Sequence, residues 1–251
     1  MAEEEVITIR QLTVAYDANP VLWNITAAFK KGKITAIIGP NGAGKSTLIK
    51  SMLEFVKPAT GQVKYSIDKQ TKEYKKVKNK IAYVPQNSSV DWDFPATVLD
   101  VVLMGRYGHL GWLKRPKKSD RDIAEEMLKK VDMESFRHRQ ISQLSGGQRQ
   151  RVFLARALAQ QADVYLLDEP LAGVDMKTER IIMNLLKELT KRGKTVIVVH
   201  HDLQSVRDYF DEVLFINQEV VAAGSVKEVF TQENITATYQ QDHNLGEGAS
   251  S

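Results

Sequence analysis

The sequence predicts an α/β fold with a mainly parallel sheet, an antiparallel β subdomain and an inserted helical lobe. The first observation is a set of short apolar runs that alternate with segments of helical spacing, a pattern typical of parallel strands covered on both faces. The second is a stretch from about 97 to 161 in which apolar residues recur every three or four positions and strand signals are absent. We expect that stretch to form the helical lobe.

The first third of the chain contains both kinds of predicted strand. Residues 6–16 and 61–67 are β-branched and partly alternating, which predicts two antiparallel strands. Between them, 34–38 is largely apolar and predicts a buried strand, 39–44 is a glycine-rich turn, and 45–55 has helical spacing. A strand, a glycine turn and a helix therefore follow one another directly.

The remaining elements follow the same two patterns. Further apolar runs predict strands at 81–84, 164–167 and 196–199, and a hairpin at 213–223. The helical spacing of 176–192 ends at Gly193, a typical C-terminal glycine. Within the lobe, Ser119 is the expected N-cap of a helix whose apolar stripe is Ile123, Met127, Leu128 and Val131.

Length and composition limit the class of protein. A chain of 251 residues, with 43% hydrophobic and 26% charged residues, can form one large globular domain or two closely joined lobes. It has no cysteine, which excludes disulfides, thiolate metal sites and a cysteine nucleophile. The longest apolar run has four residues, far short of the roughly 18 of a membrane helix, and the acidic N-terminus predicts no secretory signal. The net charge of +4, spread along the chain, does not argue for a nucleic-acid partner.

The glycine-rich turn has the sequence of a phosphate-binding loop. It matches G-x-x-x-x-G-K-[ST] and lies between a buried strand and a helix, as that motif requires. Its glycines let backbone N–H groups point at phosphate oxygens, and the helix N-terminus adds partial positive charge. Lys45 is predicted to reach the β- and γ-phosphates, and Ser46 to bind Mg²⁺. The predicted nucleotide-binding residues are Gly39, Pro40, Asn41, Gly42, Ala43, Gly44, Lys45, Ser46 and Thr47.

Two carboxylates follow the predicted strand at 164–167. Beside a phosphate loop, Asp168 is predicted to hold Mg²⁺, and Glu169, which points the other way from the strand, to activate water as a general base. Without the phosphate loop, the same pair would more often be a solvated strand end.

A third motif stands at the start of the last helix of the lobe. It places two glycines at a helix N-terminus, which makes a second anion site. The alternative interpretation is a helix-capping turn that binds nothing. The motif consists of Leu144, Ser145, Gly146, Gly147 and Gln148.

The phosphate-binding loop, the Leu-Ser-Gly-Gly-Gln motif and the Leu-Leu-Asp-Glu-Pro carboxylate strand follow one another in this order along the chain. In this order they resemble the nucleotide-binding subunit of ATP-binding cassette (ABC) transporters over nearly the whole chain. The resemblance implies an ATPase whose cofactors are ATP and Mg²⁺. It also implies a head-to-tail homodimer, in which the Leu-Ser-Gly-Gly-Gln residues of one subunit contact the γ-phosphate bound by the other.

The resemblance extends to residues outside the three motifs. Tyr16 matches the aromatic residue that stacks on adenine, and Gln86 matches the glutamine that senses Mg²⁺ and water. Asp175 matches the aspartate loop at the dimer interface, although Leu171 stands where that loop usually begins with serine or threonine. His201, which precedes an aspartate, matches the switch histidine on the γ-phosphate.

Two neighbours of His201 have other expected roles. His200 holds a position that is often threonine in the family, and both a catalytic and a purely structural part stay open for it. A metal site made by the two histidines would lack the cysteine or carboxylate cluster that completes such sites. Asp202 is the expected cap of the following helix.

The resemblance also implies the domain organisation and the partners. It implies one ATP-binding domain over 1–240, with a RecA-like core at about 1–92 and 162–240, a helical lobe at about 93–161 and a polar tail at 241–251. Because no segment is predicted to span a membrane, we expect docking on separate transmembrane permease subunits, at the cytoplasmic face of a prokaryotic plasma membrane. An extracellular metal-binding solute-binding protein is the expected indirect partner.

The resemblance implies that the docking surface follows the glutamine loop, which places it at 90–109 in this chain. Aromatic and apolar residues stand beside charges there, which suits a groove for a partner helix. With 113–116, it is similar to the ATPases of manganese, zinc and chelated-iron importers, which favours manganese, then zinc or iron. For Trp92 and Phe94, packing inside the lobe is the alternative to docking.

Three other functions are considered. An ATPase of a siderophore or vitamin B12 importer and a soluble ABC ATPase of iron–sulfur assembly are the alternatives to metal import. A pure interaction module is disfavoured by the intact Lys45, Asp168, Glu169 and His201.

Overall fold

A computed structural model describes residues 4–17, 19–67, 70–86, 95–110 and 115–240. Contacts divide the chain into two units, one comprising Met1–Lys76 and Val199–Ser251, the other Val77–Val198. This grouping differs from the division into a RecA-like core and a helical lobe, which stays a prediction.

The predicted strands and helices occur in the predicted order, and the structure adds others. The strands are β1 (Glu5–Tyr16), β2 (Asn19–Lys30), β3 (Ile34–Ile38), β4 (Thr60–Ile67), β5 (Gln70–Lys72), β6 (Ile81–Val84), β7 (Val164–Asp168), β8 (Thr195–Val199), β9 (Glu212–Asn217) and β10 (Glu219–Ser225). The helices are α1 (Lys45–Met52), α2 (Tyr74–Val77), α3 (Val98–Met104), α4 (Lys118–Lys130), α5 (Gly146–Ala159), α6 (Met176–Lys191), α7 (Val206–Tyr209), α8 (Val226–Val229) and α9 (Gln232–Gln240).

In the first unit, β2, β1, β4 and β5 form an antiparallel sheet in that order. The predicted antiparallel pair, β1 and β4, is confirmed, with Ile7 opposite Tyr65 and Ile9 opposite Val63. The same unit holds the parallel pair β3 and β9, and β10 continues antiparallel to β9 as the predicted hairpin. All five residues of β3 are buried, as expected of a strand covered on both faces.

Strand β2 was not predicted from the sequence, and irregular pairing explains why. Its register against β1 shifts near the middle of the strand, where Asn24 has a φ of 49° and Gln11 of β1 has a φ of 48°. An extra residue in a strand breaks the period-two alternation on which strand prediction relies. The second half of β2 is regular in the structure, where the buried Ile25, Ala27 and Phe29 alternate with exposed residues. The sequence does not show this alternation, because Ala28 is apolar like Ala27.

In the second unit, β8, β7 and β6 lie side by side, and β6 runs parallel to β7 with Ile81 opposite Val164. The parallel pairs in both units confirm the α/β prediction. The described part of 97–161 is mainly helical, as predicted, with α3, α4 and α5 packed on one another.

The predicted start of α4 is wrong by two residues. The helix begins at Lys118, and the backbone N–H of Lys117 donates to Oδ2 of Asp120 at 3.0 Å. The carboxylate of Asp120, the third residue of the helix, therefore caps this helix end, so Ser119 is not needed as a cap.

Candidate functional site

The phosphate-binding loop joins β3 to α1 in the first unit. Gly42 and Gly44 have φ values of +83° and +90°, a backbone conformation that favours glycine. A Cβ on Gly39 would lie 1.9 Å from the carbonyl oxygen of Ile216, so this position requires glycine for a different reason, the close approach of two backbones. Helix α1 then begins, with the N–H of Leu48 donating to the oxygen of Gly44 at 2.8 Å.

The Lys45 side chain lies across its own loop. Its Nζ donates to the carbonyl oxygens of Gly39 at 2.9 Å and Pro40 at 2.7 Å, and only 7% of the residue is exposed. These bonds hold the ammonium group at the N-terminal end of α1, where backbone N–H groups also point outward. The result is a positive site at a helix N-terminus, which suits a phosphate group.

Three further predicted residues belong to the first unit. Tyr16, at the end of β1, exposes 46% of its surface, as a residue that stacks on a ligand requires. His201 is exposed in the loop between β8 and α7, whereas His200 beside it is buried. The expectation that Asp202 caps α7 is wrong, because its Oδ1 instead accepts from the N–H of Gln204 at 3.0 Å, inside the loop before the helix.

Packing holds His200 in a fixed position. Its Nε2 shares a hydrogen bond of 2.8 Å with Oγ of Ser205, its ring lies 5.1 Å from that of Phe210, and its backbone N–H donates to the oxygen of Ile37. These contacts fix the loop from which the exposed His201 projects. Burial lowers the pKa of His200 to about 4, with Asp202 acting in the opposite direction and His201 in the same one.

The low pKa of His200 predicts a loss of stability in acid. Between an unfolded pKa of about 6.5 and a folded value of about 4, the unfolded chain binds a proton that the folded chain does not, so stability falls as the pH falls. We expect His200→Asn to reduce the difference in unfolding free energy between pH 7 and pH 5 by about 2 kcal/mol. Urea unfolding at both pH values measures it. His138→Asn, at an exposed histidine, should leave the difference unchanged, and equal effects of the two variants would contradict the assignment.

The carboxylates of the second unit stand where β7 ends. Asp168 is 1% exposed, and Glu169 follows it with a φ of 51°, which turns the chain sharply at this point. Nε2 of Gln86 donates to Oε2 of Glu169 at 2.9 Å, although 83 residues separate them. The structure thus brings together two of the three residues predicted to be catalytic.

The Leu-Ser-Gly-Gly-Gln motif forms the N-terminus of α5. Oγ of Ser145 accepts from the N–H of Gln148 at 3.3 Å, and Oε1 of Gln148 accepts from the N–H of Ser145 at 3.0 Å. This reciprocal pair is a capping box, which leaves the earlier N–H groups of the helix directed outward. Ser145 and Gly146 are exposed, as a surface that contacts a second molecule must be.

The aspartate loop packs directly against this motif. A Cβ on Gly147 would lie 2.8 Å from the oxygen of Gly173, so the two segments touch through their backbones. Asp175 caps α6, since its Oδ1 accepts from the N–H of Thr178 at 3.0 Å and its Oδ2 from the hydroxyl of Thr178 at 2.8 Å. These bonds hold the pKa of Asp175 below its usual range. Leu171, the departure from the family pattern, is buried.

A residue of the predicted docking segment, Arg106, is buried in an ion pair that the sequence does not predict. Nε of Arg106 donates to Oδ1 of Asp120 at 3.1 Å, and its NH1 donates to the oxygen of Ala159 at the end of α5. A charged residue in a helical lobe gives no sequence signal of burial. Trp92 and Phe94 lie outside the described residues, so the predicted docking surface is described only from Pro95 onward.

The described residues contain no candidate for a membrane span and no candidate group for a metal ion. No helix in that part of the chain combines the length and apolarity needed to cross a membrane. In the same residues, histidine and acidic side chains form no group of three or more that could hold a metal ion.

Known proteins resemble this chain over most of its length. Residues 22–172 match the ABC transporter family. The chain is 56% identical to the manganese transport system ATP-binding protein MntB of Bacillus subtilis (strain 168), over 93% of this chain and 92% of that protein. It is 52% identical to the zinc transport system ATP-binding protein TroB of Treponema pallidum (strain Nichols), over 93% and 86%.

The fold of this chain is also similar to that of a solved ATP-binding cassette. The dimeric structure of a post-hydrolysis state of the ATP-binding cassette MJ0796, bound to ADP and Pi, has a TM-score of 0.76 and 30% identity, over 88% of this chain and 98% of that one. The fold class predicted from the sequence and the resemblance carried by its three motifs are therefore confirmed. The chain belongs to the ABC transporter family and is one of its ATPase subunits.

Proposed function

We propose that this chain is the ATPase subunit of an importer for divalent metal ions, with manganese as its cargo. The observation that carries the cargo is the 56% identity to a manganese transport ATP-binding protein over nearly the full length of both chains. Zinc is the second candidate, because a zinc transport relative is 52% identical, and iron is the third. The ATPase itself need not contact the metal ion, so only sequence similarity to these relatives supports manganese as the cargo.

In the proposed reaction, the phosphate-binding loop holds ATP. The ammonium group of Lys45 and the N–H groups of α1 bind the β- and γ-phosphates, with Tyr16 stacked on adenine. The predicted Mg²⁺ ligands, Asp168, Ser46 and Gln86, offer carboxylate, hydroxyl and amide oxygens, which are the donors that Mg²⁺ prefers. Bound Mg²⁺ would neutralise charge on the phosphates.

The proton from the attacking water goes to Glu169. Its Oε2 accepts a hydrogen bond from Gln86, which fixes the carboxylate plane and leaves Oε1 to take the proton. An amide that donates through its nitrogen also turns its oxygen toward another partner, so Gln86 suits both of its predicted roles. His201 contacts the γ-phosphate in this proposal.

The second subunit of the homodimer completes each site. The exposed N-terminus of α5 carries outward N–H groups and has no acidic residue in its first turn, so it suits the γ-phosphate of an ATP bound by the partner. The aspartate loop, in backbone contact with Gly147, is placed beside it. We propose that the dimer docks on permease subunits at the cytoplasmic face of the membrane, supplied by an extracellular metal-binding protein.

Metal accumulation in cells tests the cargo. In a strain that lacks this subunit, we expect manganese uptake to collapse, and to return with the intact chain but not with Glu169→Gln. Loss of zinc or iron uptake with unchanged manganese would overturn manganese as the cargo. Unchanged uptake of all three metals would overturn metal import itself.

A further inference from the structure

The turn between β9 and β10 lies against the phosphate-binding loop at two points. The carbonyl oxygen of Ile216 would be 1.9 Å from a Cβ on Gly39, so that only glycine fits between them. Two residues later, the N–H of Gln218 donates to the oxygen of Ala43 at 3.0 Å. The turn therefore contacts both the first glycine of the loop and the residue before its last glycine.

The turn has little freedom of its own. Gln218 has a φ of 59°, in the left-handed region that non-glycine residues seldom adopt. Its carbonyl oxygen accepts from the N–H of Trp23 on β2 at 2.8 Å. One peptide unit on each side of Gln218 is thus fixed, one to the phosphate-binding loop and one to the neighbouring strand.

A side chain connects this turn to α9. Nδ2 of Asn217 donates to the carbonyl oxygen of Thr238 at 3.1 Å. Thr238 is fully buried, and its own hydroxyl donates to the oxygen of Asn234, one helical turn earlier. The anchor for Asn217 is therefore the carbonyl group of a buried residue within a hydrogen-bonded helix.

We propose that Asn217 is a positioning residue for ATP binding, because it ties the turn at 216–218 to α9 and so holds that turn against the phosphate-binding loop. All of these residues belong to the first unit. When the tie is lost, the turn can withdraw from Gly39 and Ala43, and the loop then samples conformations in which its N–H groups do not converge on phosphate. The proposal rests on the proposed binding of ATP by residues 39–47.

Removing the hydrogen bond from Asn217 to Thr238 should weaken ATP binding without changing the rate of the chemical step. One hydrogen bond of this kind is worth a factor of about three to ten in an equilibrium, so we expect Asn217→Ala to raise the Kd for ATP by that factor. The KM for ATP should rise in parallel, whereas kcat at saturating ATP should stay within about twofold, since bound ATP restores the loop. Titration of the full chain with a fluorescent ATP analogue measures Kd, and steady-state hydrolysis gives the split between KM and kcat.

Asn234→Ala is the matched control. Its Nδ2 donates to the carbonyl oxygen of Val229 at 2.8 Å, so the variant also loses one amide-to-carbonyl bond at α9, but none to the turn. We expect a similar fall in Tm for both variants and an unchanged Kd for Asn234→Ala alone. An equal rise in Kd in both would show a general loosening of α9 and overturn the positioning role.

A second variant keeps the proposal testable if Asn217→Ala fails to fold. Gln218→Val leaves the tie intact but places a β-branched residue at a φ of 59°, which strains the turn, so Kd should rise again. A Kd equal to that of the unmutated chain in either folded variant would overturn the inference. If the unmutated chain itself bound no ATP, the proposed function would fail instead, so the two failures are distinguishable.

Discussion

Glu169→Gln is expected to lower ATP turnover by about 10²- to 10⁴-fold, the contribution of a positioned general base, while ATP binding stays within twofold. A glutamine oxygen can still accept the 2.9 Å bond from Gln86, so the geometry around the site is kept and only the proton acceptor is lost. Because ATP is then bound but not consumed, the head-to-tail dimer should accumulate. Gel filtration with and without ATP, together with phosphate release, measures both effects.

Glu188→Gln is the control for this substitution. It makes the same change at an exposed position on α6, outside the candidate site, and its turnover should match that of the unmutated chain. If Glu169→Gln also hydrolysed ATP at the normal rate, Glu169 could not be the general base. If Glu169→Gln released phosphate at the normal rate and formed no ATP-dependent dimer, the proposed binding of ATP between two subunits would also be contradicted.

Ser145→Arg is expected to lower ATP turnover by about 10²-fold or more, without affecting ATP binding to the isolated chain. The Ser145 side chain is exposed at the N-terminus of α5, where the γ-phosphate held by the partner subunit is proposed to lie. A long guanidinium side chain there fills the space between the subunits. The double variant Ser145→Arg with Glu169→Gln should therefore lose the ATP-dependent dimer that Glu169→Gln alone accumulates.

Loss of a helix cap must be separated from loss of the interface. Oγ of Ser145 and Oγ1 of Thr97 each accept from the third N–H of their helix, at 3.3 and 3.2 Å. Thr97→Ala should therefore cost a similar amount of stability, about 1 kcal/mol, with normal turnover. An active Ser145→Arg enzyme that still formed dimers would rule out the proposed contact between subunits.

The local structure around the predicted site residues follows the sequence where the residues concerned are neighbours in the chain. The glycine turn between β3 and α1, the end of β7 and the N-terminus of α5 each depend on nine residues or fewer. Their local order fixes their conformation, because a strand, a glycine turn and a helix N-terminus need no distant partner to present N–H groups. The buried strands were predicted for a related reason, since an apolar run of that length has little alternative to burial.

Two of the errors have different physical causes, the pairing of two strands and a turn inside a loop. The bulged pairing of β2 with β1 removed the alternation that would have revealed the strand. Asp202 has the residue type of a helix cap, yet its side chain closes a turn before α7 begins. In both cases the residue types were compatible with two structures, and the surrounding chain decided between them.

The sequence by itself determined the fold class and the family, and it named the residues of the candidate site, because each depends on contiguous motifs and on the spacing of apolar residues. Only the tertiary structure decided how distant segments meet: Gln86 on Glu169, Ile216 against Gly39, and Asn217 on Thr238. Such contacts depend on the path of the folded backbone, between partners as far as 177 positions apart in the sequence, and no local pattern records that path.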